Sequence, residues 1–296
     1  MPPLQTISYL TRRFREVGLE PNRRHGQNFL VDINLLQILV ESANLDVDDV
    51  VLEIGTGTGS LTALVAERVA SVVTVEIDRH LHQLASEELI DCNNVTMLLQ
   101  DALKNKNQFD PRVIEAVVDE LEKDERRRLK LVANLPYCIA TPVVSNLLAL
   151  DAAPHSMTVT IQKELAERIV ARPGTKDYGH LSIWIQSQCR AEIVRIMPPK
   201  VFWPRPKVES AIIHIELDRQ RRENIPDRQF FHRFVRSMFF HRRKFLRSVL
   251  ISATKKDLGK PEVDEILATT GFRGELRAEQ LSVDEMFALS EAVRRR

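Results

Sequence analysis

The chain has 296 residues, 44% of them hydrophobic and 28% charged, with a formal net charge of +1. That length suits one large domain or two modest ones, and the balance is that of a globular chain rather than a disordered or fibrous one. No apolar run approaches the roughly 18–20 residues that span a bilayer, residues 1–20 lack an apolar signal core, and three scattered cysteines (Cys92, Cys138, Cys189) make neither a disulfide framework nor a zinc site, so a cytoplasmic protein with no metal and no membrane contact is expected.

In chain order, strands are predicted at 50–54, 71–77, 95–99, 129–133 and 157–161, and helices at 33–43, 61–69, 79–89, 142–150 and 163–171. Continuous apolar strands separated by helices imply an α/β fold with a mostly parallel sheet covered on both faces. Segments 191–197 and 211–217 flank the Pro-rich stretch 198–206 and are expected as an antiparallel closing pair, which brings the sheet to seven strands. Residues 104–128 are expected to hold a charged surface helix. Residues 218–227 read as a linker and everything beyond as helical, with Ser282-Val283-Asp284-Glu285 a capping box. The expected organisation is an α/β domain over 1–218 and a small all-helical domain over 219–296.

Between the first predicted strand and its helix lies Glu53-Ile54-Gly55-Thr56-Gly57-Thr58-Gly59. Glycines there let the backbone approach a ligand and present helix N-terminal N–H groups to it. Glu76 ends the next strand, where a carboxylate accepts from ribose hydroxyls, and Asp101 follows the third strand, placed to accept from an adenine amine. A dinucleotide fold usually carries glycine at the position of Ser60, and no Gly-Lys-Ser/Thr follows as in a P-loop. S-adenosyl-L-methionine, which has no phosphates, fits the loop and the two acids. The plainer alternative is a glycine turn beside ordinary strand-end carboxylates.

The most telling stretch is 132–142, where an apolar run ends in Asn134-Leu135-Pro136-Tyr137. An amide, a carbonyl fixed by the following proline and an aromatic ring at one strand end suit a planar ring bearing an exocyclic amine. Asn134 and the Leu135 carbonyl accept from the amine, and Tyr137 offers a stacking face.

Charge is segregated despite the small net value. Residues 228–247 hold seven Lys/Arg and no acid, interleaved with six phenylalanines. Their helical spacing assigns most of the phenylalanines to the core of the small domain, while the cations mark a polyanion-binding face. Arg242, Arg243 and Lys244 are the candidates, with Lys207 nearer the pocket.

With these motifs in place the chain resembles the ribosomal RNA adenine dimethyltransferase family, nearly end to end. His25-Gly26-Gln27-Asn28-Phe29-Leu30 is similar to the family's Gly-Gln-Asn-Phe-Leu signature, 53–62 to its glycine loop and Asn134–Tyr137 to its Asn-Leu-Pro-Tyr. The late block Phe202-Trp203-Pro204-Arg205-Pro206-Lys207 and the stretches 241–244 and 277–282 also match. The resemblance implies a Rossmann-like class I methyltransferase fold. It implies that Asn28 and Leu30, with Gln27, close over the methionine end of the cofactor, and that Gly55, Gly57 and Gly59 form the loop against it. Glu76 would hold the ribose, and Asp101 with Ala102 would read the adenine. Asn134 would touch both cofactor and target amine, with Tyr137 and Phe202 as the two faces of a sandwich around the base.

The implied activity is S-adenosylmethionine-dependent N6,N6-dimethylation of two adjacent adenines in the 3′-terminal hairpin of small-subunit (16S) ribosomal RNA, on the assembling 30S particle and by a monomer. The alternatives are a large-subunit adenine methyltransferase of the macrolide-resistance type, or a non-catalytic assembly or transcription factor on the same frame. Two features depart from the family pattern: Cys138 stands where relatives often carry Asn or Gln, and the 104–128 region is longer than usual.

Overall fold

The computed structural model describes residues 7–16, 18 and 27–296; His25 and Gly26 of the N-terminal signature lie outside them. The elements are α1 (Ile7–Glu16), β1 (Phe29–Leu30), α2 (Ile33–Ser42), β2 (Asp49–Ile54), α3 (Ser60–Ala66), β3 (Ser71–Glu76), α4 (Arg79–Glu88), β4 (Val95–Leu99), β5 (Leu103–Asn105), β6 (Gln108–Phe109), α5 (Pro111–Leu121), β7 (Arg128–Asn134), α6 (Ala140–Ala149), β8 (Ser156–Gln162), α7 (Lys163–Ile169), α8 (His180–Gln186), β9 (Cys189–Met197), β10 (Phe202–Trp203), β11 (Ser210–Leu217), α9 (Arg219–Glu223), α10 (Arg228–Met238), α11 (Leu246–Ala253), α12 (Lys260–Thr270) and α13 (Val283–Arg294). Contacts divide the chain into two units. One runs through Ala166 and resumes over Glu192–Glu216; the other combines Glu167–Ala191 with Leu217–Arg296.

The first unit is built on a seven-stranded sheet in the order β4-β3-β2-β7-β8-β11-β9. Pairing is parallel from β4 through β8 and antiparallel between β8 and β11. Every residue of β2 and β3 is buried, as expected for central strands covered on both faces. Val51, Val72 and Val132 pack under Leu36, Leu39 and Val40 of α2 and Leu61 and Val65 of α3. On the opposite face Leu52 and Leu129 meet Val117 of α5 and Leu147 of α6 around an apolar cavity. A two-stranded ribbon pairs β1 with β10, Phe29 opposite Trp203 and Leu30 opposite Phe202.

An ion pair is buried in this core. Lys130, 4% exposed on β7, forms an ion pair with the fully buried Asp49 of β2 at 2.8 Å. Its Nζ also donates to the Asn44 carbonyl at 2.5 Å, past the end of α2. Arg128 approaches the other Asp49 oxygen at 3.3 Å. Both charges are thus compensated, the condition for burying them.

The second unit is helical. Phe231, Phe234, Val235 and Met238 of α10, Val249 and Leu250 of α11, Val263 and Ile266 of α12, and Met286 and Leu289 of α13 are among its buried residues. Trp184 of α8 stacks on His232 of α10 at 4.3 Å. Ser282 and Glu285 form the expected capping box.

The structure departs from the sequence reading in three places. Segment 167–191 belongs with the helical unit rather than with the sheet, because α8 lays Trp184 against α10. The stretch expected as a linker contains α9, whose Arg222 is buried and donates to Gln188 Oε1 at 2.6 Å. Within 104–128 the chain first makes the β5–β6 hairpin and then α5, started by Asp110 as N-cap with Pro111 behind it.

Candidate active site

A cleft enclosing about 920 Å³, open mouth included, lies at the C-terminal ends of the parallel strands, where open α/β sheets bind ligands. Its walls include Gln27, Asn28 and Phe29, the loop glycines Gly55 and Gly57, Glu76, Asp101 and Ala102, and the whole of Asn134–Tyr137.

The loop glycines all adopt positive φ, at 88° for Gly55, 58° for Gly57 and 81° for Gly59. A Cβ would meet Pro136 at 3.3 Å from Gly55 and the Phe29 ring at 3.3 Å from Gly57. The positive φ favours glycine, and a Cβ at either position would need its neighbour to give by a few tenths of an ångström. Gly59 lies against α4, 3.3 Å from Leu89 by the same measure, and does not line the cleft.

Beneath the loop lies Glu53, the one ionisable side chain within the otherwise apolar run of β2 beyond Asp49. Its Oε2 accepts from Thr62 Oγ1 at 2.6 Å and from Thr74 Oγ1 at 2.8 Å, tying the loop to α3 and β3. Burial pushes its carboxyl up to about 8, against the lowering effect of the two threonines. Glu53 belongs to the glycine-loop motif, which by itself gives it no role. The signal was present: a glutamate in a buried strand, with Thr74 as its register partner on β3.

Glu76 ends β3 with each oxygen held by a backbone donor, Oε2 by the Gly57 N–H at 2.9 Å and Oε1 by the Asp78 N–H at 2.9 Å. Burial raises its pKa and these donors oppose the shift. Each oxygen keeps a second lone pair, so the carboxylate is oriented but not saturated. Asp101 Oδ1 accepts from the Leu103 N–H at 2.9 Å, which fixes that side chain at the rim.

Asn134, the last residue of β7, donates from Nδ2 to the Asn28 carbonyl at 2.9 Å. Leu135 is anchored by its N–H to the Thr160 carbonyl at 3.1 Å. The Tyr137 hydroxyl shares a hydrogen bond with Ser210 Oγ at 2.5 Å, and burial pushes its phenol upward. A strand-end amide, a constrained carbonyl and a ring held by its far end thus converge on one wall.

A family model described as "Ribosomal RNA adenine dimethylase" matches residues 18–294. The chain belongs to this family. Family relatives include a ribosomal RNA small subunit methyltransferase A of Clostridium botulinum, 37% identical over 273 residues that cover 92% of this chain and 94% of the relative. A protein of the same name from Lactiplantibacillus plantarum is 40% identical over 278 residues, 93% of this chain and 91% of the relative. Among solved structures, a dimethyladenosine transferase from Plasmodium falciparum superposes with a TM-score of 0.70 at 22% identity, covering 87% of this chain and 94% of that one. The 23S rRNA methyltransferase ErmE superposes with a TM-score of 0.60 at 23% identity, covering 90% and 100%. At 22% and 23% identity, these two likenesses show the fold.

Most of the residues the family pattern singles out meet at the cleft: Gln27, Asn28, Gly55, Gly57, Glu76, Asp101, Ala102, Asn134, Leu135 and Tyr137. Leu30 and Phe202 do not. They are 7% and 2% exposed and pack in the core with Leu36, Val51 and Ile212. Adjacent residues of a strand point to opposite faces, so Leu30 and its partner Phe202 turn inward while Phe29 and Trp203 turn outward. Phe29, to which the motif gives no role, is the ring of this ribbon that lines the cleft, with Tyr137 as the other ring there. Lys207 is exposed. In the helical unit Arg242 is engaged by Glu279 and donates to the Thr175 carbonyl at 3.1 Å, whereas Arg243 and Lys244 are exposed and make no ion pair among the described residues. Phe240 and Phe245, expected with the core phenylalanines, flank them at 73% and 55% exposure.

Proposed function

We propose that the protein transfers methyl groups from S-adenosyl-L-methionine to N6 of two adjacent adenines in the 3′-terminal hairpin of small-subunit ribosomal RNA, two methyls to each, on the assembling small subunit. The observation that carries this reading is the Asn134 amide, whose donor end is committed to the Asn28 carbonyl. Its Oδ1 is thereby left as the acceptor at the cleft, the end that an exocyclic amine requires.

The cofactor supplies an electrophilic sulfonium methyl. The chain's own residues supply position. An adenine N6 lone pair is delocalised into the ring and is a weak nucleophile. Asn134 Oδ1 and the Leu135 carbonyl accept its two hydrogens and turn the lone pair toward the methyl, so that the rate arises from alignment and local electrostatics. No side-chain base is required, since the nitrogen becomes acidic once alkylated. Tyr137, braced by Ser210, provides the stacking face that offsets the cost of extracting the base, at about 1–3 kcal/mol per base. Glu76, oriented by two N–H donors, suits the ribose hydroxyls, and Asp101 the adenine amine of the cofactor. The glycine loop suits a ligand pressed against its backbone, because Gly55 and Gly57 hold positive φ without a side chain.

The helical unit is assigned the phosphate contacts, through Arg243 and Lys244, with Lys207 serving from the first unit. The protein is expected to act as a cytoplasmic monomer; no helix among the described residues is long and apolar enough to cross a membrane.

The test is methyl transfer from labelled S-adenosylmethionine to unmethylated small subunits, with large subunits alongside, followed by digestion to nucleosides. Dimethyladenosine from small subunits alone is the expected result. Label on large subunits would move the substrate to 23S RNA, and tight binding without label would mean a non-catalytic factor.

A further inference from the structure

Three aromatic rings meet beside the cleft. Phe14, buried on α1, sets its edge against Phe29 at 5.4 Å and 85° and lies 5.3 Å from Trp203. Phe29 and Trp203 are cross-strand partners on β1 and β10. Leu81 and Leu84 of α4 close the cluster from below. Arg13 ties α1 to α4 through Glu87 at 2.6 Å. This is more fixation than a two-stranded ribbon commands by itself.

Phe29 stands between the two halves of the site. On one side its ring abuts Gly57, whose N–H holds Glu76. On the other it follows Asn28, whose carbonyl holds the Asn134 amide. A displacement of Phe29, ring and backbone together, would carry with it the Asn28 carbonyl that orients Asn134 and would remove the ring that abuts Gly57.

We infer that Phe14, outside the cleft on α1, is a positioning residue for methyl transfer: with Trp203 it locks Phe29, and through Phe29 it sets the orientation of the Asn134 amide. The inference rests on the methyltransferase reading above. It gives α1 a function that neither the motifs nor family membership assigns. Near-attack geometry is sensitive to displacements of about 1 Å, which cost on the order of a hundredfold. A loosened strap rather than a removed acceptor is expected to cost less than that.

The experiment compares Phe14→Ala, Phe14→Leu and Val113→Ala, the last a core truncation on α5 away from the cleft. Each is assayed by methylation of small subunits below its unfolding temperature. Phe14→Ala is expected to lower kcat about tenfold and to raise KM for S-adenosylmethionine, with Phe14→Leu recovering most of kcat by refilling the volume. A kcat for Phe14→Ala within twofold of that of Val113→Ala overturns the inference. The chain has two tryptophans, so a Trp184→Phe background leaves Trp203 as sole reporter. Its emission is expected to respond to S-adenosylmethionine, and less so with Phe14→Ala. Should the wild type methylate no RNA, the function reading falls, and this emission response alone decides the strap: an unchanged response in Phe14→Ala overturns it.

Discussion

The Asn134 side chain donates through Nδ2 to the Asn28 carbonyl at 2.9 Å, across 106 positions of sequence. An amide has one donor end and one acceptor end, so this bond decides which of them faces the cleft. Asn134→Ala is expected to lower single-turnover methylation by about 10²–10³, the cost of removing one preorganised group aimed at the reacting centre. Asn134→Asp is the sharper variant. It retains an acceptor of the same shape but sets a carboxylate oxygen against the Asn28 carbonyl, and is expected to lose nearly as much. Wild-type rates in Asn134→Asp would show that the Asn28 contact does not orient the group.

Tyr137 separates into two parts. Its ring is the proposed stacking face; its hydroxyl is held by Ser210 at 2.5 Å. Tyr137→Ala is expected to weaken RNA substrate binding about ten- to a hundredfold, matching a lost stack of ~1–3 kcal/mol. Tyr137→Phe keeps the ring and loses one hydrogen bond, worth about 1 kcal/mol of stability, and its KM for small subunits is expected to stay near that of the wild type. Equal losses in the two variants would argue against stacking.

Glu53 gives a pH prediction with a defined sign. Its carboxyl moves from an ordinary value of 4.5 up to about 8 on folding, chiefly through burial. The folded state therefore keeps a proton that the unfolded state releases, and stability falls as pH rises from about 4.5 to 8. Glu53→Gln, which resembles the protonated acid, removes that dependence. Thermal unfolding at pH 5, 6.5 and 8 is expected to show the Gln variant gaining on the wild type as pH rises. Parallel curves would mean that Glu53 is ionised in the folded protein.

The Lys130–Asp49 pair tests the core. Lys130→Met leaves Asp49 buried with the Asp46 N–H on Oδ2 at 2.7 Å and Arg128 at 3.3 Å as its remaining contacts, and is expected to cost about 3–5 kcal/mol in denaturant unfolding, as for other broken buried pairs. Adding Asp49→Leu to Lys130→Met is expected to recover much of the loss. Without such recovery, the Asn44 carbonyl contact rather than the charge pair would be the source of stability.

Within the basic run the three adjacent cations divide. Arg242 is committed to Glu279 and Thr175, so Arg242→Ala is expected to lower the melting temperature. Arg243→Ala with Lys244→Ala is expected to leave stability within about 0.5 kcal/mol and to make RNA binding less salt-dependent, the slope dropping by up to about two charges. Competition binding at 50 and 200 mM salt checks this.

The sheet was legible because its central strands are mostly apolar and β-branched runs that lead into Gly55, Glu76 and Asn134, so each strand end also marked a site residue. Strands two residues long carry no periodicity to read. The family resemblance implies cleft positions for Leu30 and Phe202, and nothing in so short a strand shows that the pleat turns both inward and presents Phe29 instead. Arg222 shows a second limit. Nothing local marks it for burial, since its partner Gln188 is 34 positions away. The exposure of Phe240 and Phe245 was hidden for a similar reason: helical spacing assigns a phenylalanine to a core unless the helix has already ended, and α10 stops at Met238.

The interleaving of the two units has a consequence for how the protein is made. Segment 167–191 belongs to the helical unit but leaves the ribosome before the last sheet strand, while its partner helices α10 and α13 follow after Leu217. Proteins usually mature one unit at a time as the chain is synthesised. Here the nascent chain must hold Trp184 and its apolar neighbours unpartnered until the C-terminus arrives. A chain ended near Asp218 would keep that surface bare permanently, so loss of function on such truncation is expected to come with aggregation rather than as a clean loss of RNA contacts.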